Sequence, residues 1–262
     1  MVRRGFGRFY PASSPLHALD PRTKLLGTVL VVAGLFLVGS LAGLALFAAA
    51  VGILFVASRV PPRAFLGALW PVSYIVLLTF VFQALFYHRG VIVFSSGPVE
   101  VHAGGLRMGF FLASRIVLLV LAAGLLTATT SPLALADGLE ILLSPLRRVR
   151  FPVHELTMMV TIALRFIPTL QEEAERIREA QAARGAVFDE GGLLGRARSF
   201  VPILVPLTVG AFRQADELAE AMESRGYRGG AGRTRYRELH FGGQDALALI
   251  FAALLFLAGV AL

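Results

Sequence analysis

Two short segments of the sequence could carry chemistry, and each places an arginine directly before a glycine. They are "EAQAARGAVF", which contains Arg184 and Gly185, and "EAMESRGYRGG", which contains Arg225 and Gly226. Glycine is common at the left-handed position that follows a helix, and a basic residue in the last turn complements the helix dipole. The guanidinium is also a planar, permanently charged fork that can pair with carboxylates or helix-end carbonyls in a groove. Two interpretations therefore stay open: ordinary helix ends, or anchors for two partner surfaces.

The residues that could support catalysis or bind a metal do not form a known motif. The candidates are His17, Asp20, His154, Glu155 and His240. The segment "VHELT" lacks the second histidine of a His-Glu-x-x-His zinc motif, the chain has no cysteine, and it contains no Gly-x-x-x-x-Gly-Lys-Ser/Thr phosphate loop. We therefore expect no catalytic residue, no metal ligand and no bound cofactor in this chain.

The composition indicates a membrane protein. Of the 262 residues, 56% are hydrophobic and 16% are charged, and the mean hydropathy is +0.72. This is too apolar for an ordinary soluble domain. The formal charge of +8 could suggest a nucleic-acid partner. Arginines on cytoplasmic segments are expected in membrane proteins, however, so we expect a lipid bilayer and no nucleic acid.

Hydropathy predicts about five membrane spans. Residues 25–57 contain no charge and are long enough for two helical spans, with a break at Val38–Gly43 where glycine and serine favour a turn. The other spans are expected at about 65–86, 105–130 and 246–262. The segment between the third and fourth spans alternates apolar and polar residues around positions 96–98, which favours a hairpin-like loop.

The distribution of basic residues predicts the orientation. Arginine and lysine precede the first span, lie between the second and third, and recur between residues 130 and 243. These are alternate loops, so we expect the N-terminus in the cytoplasm and the C-terminus outside. Arg115 falls inside the fourth span, where snorkelling to the interface is the ordinary explanation. Before the first span, Asp20 is a candidate helix N-cap and Pro21 suits the first helical position.

Residues 131–243 are expected to form amphipathic helices. The first, at about 131–152, would lie at the membrane surface. The next two begin apolar, end charged, and finish at the two Arg-Gly pairs. When these two are aligned on their arginines, they share alanine or a larger apolar residue at the positions four, seven and ten residues earlier. Those positions are Ala180, Ile177 and Ala174 on one helix and Ala221, Leu218 and Ala215 on the other. This narrow stripe predicts that the two helices cross and pack together.

Three motifs together resemble a known family. The segments "YPASSPLHALDPRTKLL", "ALRFIPTLQEEAERIREAQAARG" and "ADELAEAMESRGY" resemble the transmembrane T component of energy-coupling factor transporters, the group that includes the cobalt-transport permease subunit. The resemblance covers nearly the whole chain. It implies an all-α membrane protein with about five transmembrane helices and a cytoplasmic coupling domain of crossing amphipathic helices. The implied divisions are 1–130 for the N-terminal segment and first four spans, 131–243 for the coupling domain, and 244–262 for the last span.

The same resemblance implies partners. In the family, each coupling helix carries an Ala-Arg-Gly signature that docks on one of two ATP-binding-cassette ATPases. The signature falls here on Ala183, Arg184 and Gly185, and on Ser224, Arg225 and Gly226, where serine replaces alanine. ATP and Mg would be bound by the ATPases, and a vitamin or transition-metal substrate by a separate membrane S component. The chain would then be a non-catalytic scaffold in the cytoplasmic membrane of a bacterium or archaeon, coupling ATP hydrolysis to movement of the S component.

Two other classes of protein have different requirements. A self-sufficient secondary transporter would normally show inverted repeats and broken, polar membrane helices, whereas the first two predicted spans contain almost nothing polar. A membrane-embedded enzyme would have to use the scattered histidines and carboxylates. Neighbouring ATPase genes would favour the scaffold, whereas transport or turnover by the purified chain alone would favour the alternatives.

Overall fold

The computed structural model describes residues 9–96, 99–149, 151–186, 188, 192, 198–227, 229 and 240–262. The helices are α1 (Pro15–Ala18), α2 (Pro21–Leu37), α3 (Leu41–Ser58), α4 (Pro62–Phe86), α5 (Ala103–Thr129), α6 (Pro132–Leu143), α7 (Val153–Ala183), α8 (Val201–Ser224) and α9 (Gly243–Ala261). A 3-10 helix, Ser144–Val149, precedes α7. The two strands are β1 (Ile92–Ser96) and β2 (Val99–His102). The predicted fold class, an all-α membrane protein, is confirmed.

Among the described residues, five helical segments are long and apolar enough to cross a membrane. They are Leu41–Ser58, Leu69–Phe86, Ala103–Thr129, Val153–Ala183 and Gly243–Ala261. Four of them correspond to the second to fifth predicted spans. The first predicted span is α2, which has 17 residues and is one residue shorter than the shortest of the five. The remaining segment is α7, whose first half is apolar and whose second half is charged. The number of candidate spans therefore agrees with the prediction, but their identity differs at one helix.

The turn between α2 and α3 lies inside the predicted break. Ser40 caps α3, because its hydroxyl accepts the backbone N–H of Gly43 at 3.0 Å. The guanidinium of Arg115 on α5 donates to the carbonyl of Val38 at the end of α2 and lies 4.6 Å from the ring centroid of Phe111. The guanidinium of Arg115 thus supplies a hydrogen-bond donor to a carbonyl at the end of α2. The expected snorkelling of Arg115 to the interface stays a prediction.

Close packing around one aromatic ring joins α9 to α2 and α3. The side chain of Phe47 is fully buried. A Cβ added to Gly34 on α2 or to Gly259 on α9 would come within 2.3 Å of this ring. Glycine at both positions allows the three helices to approach closely, as small residues do in other membrane helix pairs.

The fourth helix has few protein neighbours. It contacts mainly α5 and β2, while Phe65 at its start packs against Phe55 of α3. Most of its large apolar side chains are exposed, including Trp70 and Tyr74. The apolar exterior of α4 is suited to contact with lipid.

A β-hairpin follows α4, as the alternating pattern predicts. The strands pair antiparallel, with Ile92 opposite His102 and Ser96 opposite Val99. The two remaining residues of the expected turn, Gly97 and Pro98, lie outside the described residues.

The chain divides into two compact units. One contains α1 to α6, the hairpin and α9, and the other begins at Leu143 and contains the 3-10 helix, α7 and α8. The structure places α6, which the predicted coupling domain of 131–243 includes, in the first unit, where Gly138 lies against Pro21. The second unit contains both helices that end at an Arg-Gly pair.

Candidate functional site

Two long continuous helices lead to the two Arg-Gly pairs. α7 has 31 residues and α8 has 24. Pro168 lies inside α7 and Pro206 inside α8, and each helix continues through its proline. The predicted apolar beginnings and charged ends therefore belong to single helices.

The end of α7 is a Schellman motif. Gly185 has a φ of +85°, in the left-handed region that favours glycine. Its N–H donates to the carbonyl of Ala182 at 2.9 Å, and the N–H of Ala186 donates to the carbonyl of Gln181 at 3.0 Å. These two bonds satisfy carbonyls that would otherwise lack partners at the helix end. Arg184 is the C-cap residue directly before the glycine.

The end of α8 repeats this geometry. Gly226 has a φ of +73° and donates its N–H to the carbonyl of Glu223 at 2.9 Å, while Tyr227 donates to Met222 at 3.0 Å. Arg225 is again the C-cap residue. The predicted left-handed glycine caps are confirmed at both ends.

The serine that departs from the family signature is accommodated locally. The hydroxyl of Ser224 donates to the carbonyl of Ala221 at 3.0 Å, within its own helix. Ala183 occupies the matching position on α7. Arg184 and Arg225 are both exposed. Both arginines can therefore be reached by another protein, and the serine leaves the end of α8 unchanged.

The two helices contact each other, as the stripe predicts, and the stripe residues differ in exposure. Four of its members are half-buried: Ala174 and Ile177 on α7, and Leu218 and Ala221 on α8. Ala180 and Ala215 are exposed. The packing of the whole stripe at the crossing therefore stays a prediction.

A polar contact that the stripe did not include links the helices. The side-chain amide of Gln214 donates to Oε2 of Glu173 at 3.2 Å. Beside it, a Cβ added to Gly210 would lie 3.4 Å from Oε1 of Glu173, so the carboxylate lies directly against the backbone of α8. The sequence contains one indication of this pair: Glu173 and Gln214 precede Arg184 and Arg225, respectively, by the same number of residues.

An apolar groove lies between α7 and α8, with a volume of about 400 Å³. Its lining residues are Ile162, Phe166 and Leu170 from α7 and Ala211, Gln214, Ala215, Leu218, Ala219 and Met222 from α8. Gln214 is the polar member of this lining. The exposed Ala215 is therefore part of a concave apolar surface formed by both helices.

The candidate catalytic residues do not converge. His17 forms hydrogen bonds within its own N-terminal segment. His154 and Glu155 lie in the first turn of α7, and His240 is exposed just before α9. Within the described part of the chain, no group of three histidine, cysteine or acidic side chains is placed to hold a metal ion.

A buried carboxylate joins the last helix to the first long one. Asp245, in the first turn of α9, is 5% exposed. Its Oδ1 accepts the N–H of Asp20 at 2.8 Å, and its Oδ2 accepts the N–H of Gly242 at 2.9 Å. Asp20 itself caps α2 by accepting the N–H of Arg22 at 2.8 Å, and Pro21 is the first helical residue, as predicted. Asp20 is therefore a structural cap.

A lysine extends this cluster to α1 and α5. The Nζ of Lys24 donates to the carbonyls of His17 and Thr129, at 3.1 Å each. Burial lowers the pKa of Lys24 to about 8, although the carboxylates of Asp245 and Asp20 act to raise it. Lys24 lies just before the charge-free stretch that begins at residue 25. Sequence reasoning did not identify the cluster; an acidic residue at the start of the last apolar run was the available signal.

Comparison with known proteins gives consistent matches over nearly the whole chain. A family model described as a cobalt transport protein matches residues 12–236. A protein of Thermosediminibacter oceani named energy-coupling factor transporter transmembrane protein EcfT is 47% identical over 249 residues, covering 95% of this chain and 94% of that protein. The Bacillus subtilis protein of the same name is 46% identical over 255 residues, covering 95% and 96%. That of Heliobacterium modesticaldum is 48% identical over 239 residues, covering 91% and 90%.

Proposed function

The chain belongs to the cobalt transport protein family, and from that membership we propose that it is the transmembrane scaffold of an energy-coupling factor importer. In this role it binds two ATP-binding-cassette ATPases and a membrane S component that carries a vitamin or a transition-metal ion. The relatives are named as membrane subunits of transporters, which supports a non-catalytic role. ATP and Mg bind to the ATPases.

One observation carries this proposal: two helices that contact each other end in the same Schellman motif, each with an exposed arginine directly before the left-handed glycine. Simple capping explains either end alone. Two matched ends on paired helices fit two similar partner surfaces better. Arginine is also enriched among the residues that dominate the energy of protein interfaces.

The mechanism that follows is mechanical. Closure of the ATPases on ATP moves Arg184 and Arg225, and each helix transmits that movement to its apolar first half. The groove between the first half of α7 and the second half of α8 supplies an apolar surface suited to a membrane partner. The S component is shifted by this surface and delivers its substrate, so the chain itself needs no substrate site.

Co-purification tests the proposal. A tagged chain expressed with its natural operon is expected to retain two ATPase subunits and a membrane partner, identified by mass spectrometry. Vesicles that contain the complete assembly are expected to take up substrate only when ATP can be hydrolysed. Uptake or turnover by the purified chain alone would overturn the scaffold function in favour of a secondary transporter or an enzyme.

We also propose that the N-terminus and the second unit face the cytoplasm and that the C-terminus lies outside. The natural sequence has no cysteine, so single cysteines can be labelled without background. Cysteine in place of Ser96, in the hairpin, is expected to react with an impermeant maleimide from outside. Cysteine in place of Asp189, which lies outside the described residues, is expected to react only after the cells are opened. The reverse labelling pattern would overturn this orientation.

A further inference from the structure

Among the described residues, a hydrogen bond from Gln214 to Glu173 links α8 to α7, and its two members occupy equivalent positions on the two helices. Arg184 follows Glu173 by 11 residues, and Arg225 follows Gln214 by 11 residues. Both intervals are continuous helix. With a rise of 1.5 Å per residue, each arginine lies about 16.5 Å along its helix from the contact, and 11 residues are close to three full turns. The two helices thus extend equal distances from one contact point to their tips.

We propose that Glu173 and Gln214, with Gly210 beside them, form the pivot that fixes how α7 and α8 cross and thereby sets the separation of Arg184 and Arg225. This inference rests on the proposed function for its consequence, since the separation matters because two ATPases bind the tips. Glu173 and Gln214 are positioning residues that act through the arginines.

The chemistry of the contact favours a fixed pivot. A carboxylate only accepts hydrogen bonds, so the amide nitrogen of Gln214 must be the atom that faces Glu173. Hydrogen bonds to charged groups are stronger than bonds between neutral groups. The carboxylate lies beside Gly210, where an added Cβ would be in van der Waals contact with it at 3.4 Å. A hydrogen bond is directional, so this bond favours one register of the two helices.

The equal distances from the contact to the two arginines determine how far the helix tips move when the crossing angle changes. Each helix extends about 16.5 Å from the contact to its arginine, so a change of about 10° in the crossing angle changes the separation of the two arginines by up to about 3 Å. Such a change moves both arginines by similar amounts. Loss of the pivot is therefore expected to alter tip separation while leaving the arginines and their caps intact.

Spin labels measure this separation directly. Cysteines in place of the exposed Ala182 and Glu223, each two residues before an arginine, report the distance between the tips in the full-length chain. Gln214→Glu places two carboxylates at the contact and is expected to broaden the distance distribution or shift it by about 3 Å, the change expected for about 10° of crossing angle. The swapped pair, Glu173→Gln with Gln214→Glu, restores one amide and one carboxylate and is expected to restore the distribution. Gln171→Glu adds the same charge at an exposed position on α7 and is expected to change nothing.

A second readout links the pivot to coupling. In the complete assembly, Gln214→Glu is expected to retain both ATPases but to lower substrate uptake per ATP hydrolysed, and the swapped pair is expected to recover it. The pivot would be overturned if Gln214→Glu left the distance distribution as it is in the parent chain, or if the swapped pair failed to restore that distribution. Unchanged substrate uptake per ATP hydrolysed in Gln214→Glu would overturn it as well. Should Gln214→Glu fail to fold, Glu173→Ala removes the bond without adding a charge, and an unchanged distribution overturns the pivot equally. If the parent chain binds no ATPase, the proposed function fails, and the distance measurement still decides the pivot.

Discussion

Replacing Arg184 and Arg225 together with alanine is expected to release the ATPase subunits while the membrane chain stays folded. Each side chain is exposed at the end of a Schellman-capped helix, so truncation removes no internal contact of the described chain. Truncating a charged, hydrogen-bonded group that is buried in an interface typically costs about 2 to 5 kcal/mol. Since about 1.4 kcal/mol is a factor of ten, each single change should weaken ATPase binding by roughly 30-fold or more, and the double change should be worse.

If the arginines are ordinary helix ends, the expected loss of ATPase binding is much smaller. An arginine that only complements the helix dipole contributes about 0.3 to 1 kcal/mol to the stability of its own helix and nothing to ATPase binding. Arginine-to-lysine changes separate the two further, because lysine keeps the charge but loses the planar fork. Partial recovery of ATPase binding with lysine is therefore expected if the arginines are anchors.

The measurement is ATPase pull-down and substrate uptake in matched membranes. Arg178→Ala is the matched control, since Arg178 is an exposed arginine on α7 that pairs with Glu175 at 2.6 Å on the same helix. It is expected to behave like the parent chain. Parental binding and uptake by the double alanine variant would return both arginines to the role of ordinary helix ends.

Replacing Asp245 with alanine is expected to lower the free energy of unfolding of the membrane chain by about 3 to 5 kcal/mol, the usual cost of removing one partner from a buried charge cluster. The change removes both carboxylate oxygens that accept the N–H groups of Asp20 and Gly242. It also removes a charge that acts to raise the pKa of Lys24, so that pKa is expected to fall further. The starts of α2 and α9 thereby lose the hydrogen bond that joins Asp20 to Asp245.

Equilibrium unfolding of the purified chain in mixed detergent and SDS micelles measures this effect. Asp245→Asn keeps one oxygen acceptor and is expected to fall between the parent and the alanine variant. Asp216→Ala removes an exposed carboxylate from α8 and is expected to stay within about 0.5 kcal/mol of the parent. If Asp245→Ala unfolds at the same SDS fraction as Asp216→Ala, the buried cluster does not hold the helices together.

The features that the sequence determined by itself are those set within one or two helical turns. The apolar runs predict the membrane class, Asp20 and Pro21 predict the start of α2, and the glycines after Arg184 and Arg225 predict the left-handed caps. A cap is formed by residues a few positions apart in the chain, and glycine alone adopts the left-handed conformation without a steric cost. These features can therefore be predicted without knowing which residues pack around them.

The tertiary structure alone decided which residues meet across helices. The bond from Asp20 to Asp245 joins positions 225 residues apart, and the bond from Arg115 to Val38 joins positions 77 residues apart. The stripe that contains Ala180 and Ala215 had the right helical period, yet both are exposed. A period of 3.6 residues identifies a helix face only approximately, and the rotation and crossing of two helices determine which members of that face touch. At the crossing they bring Glu173 to Gln214, two polar residues that a search for apolar periodicity passes over.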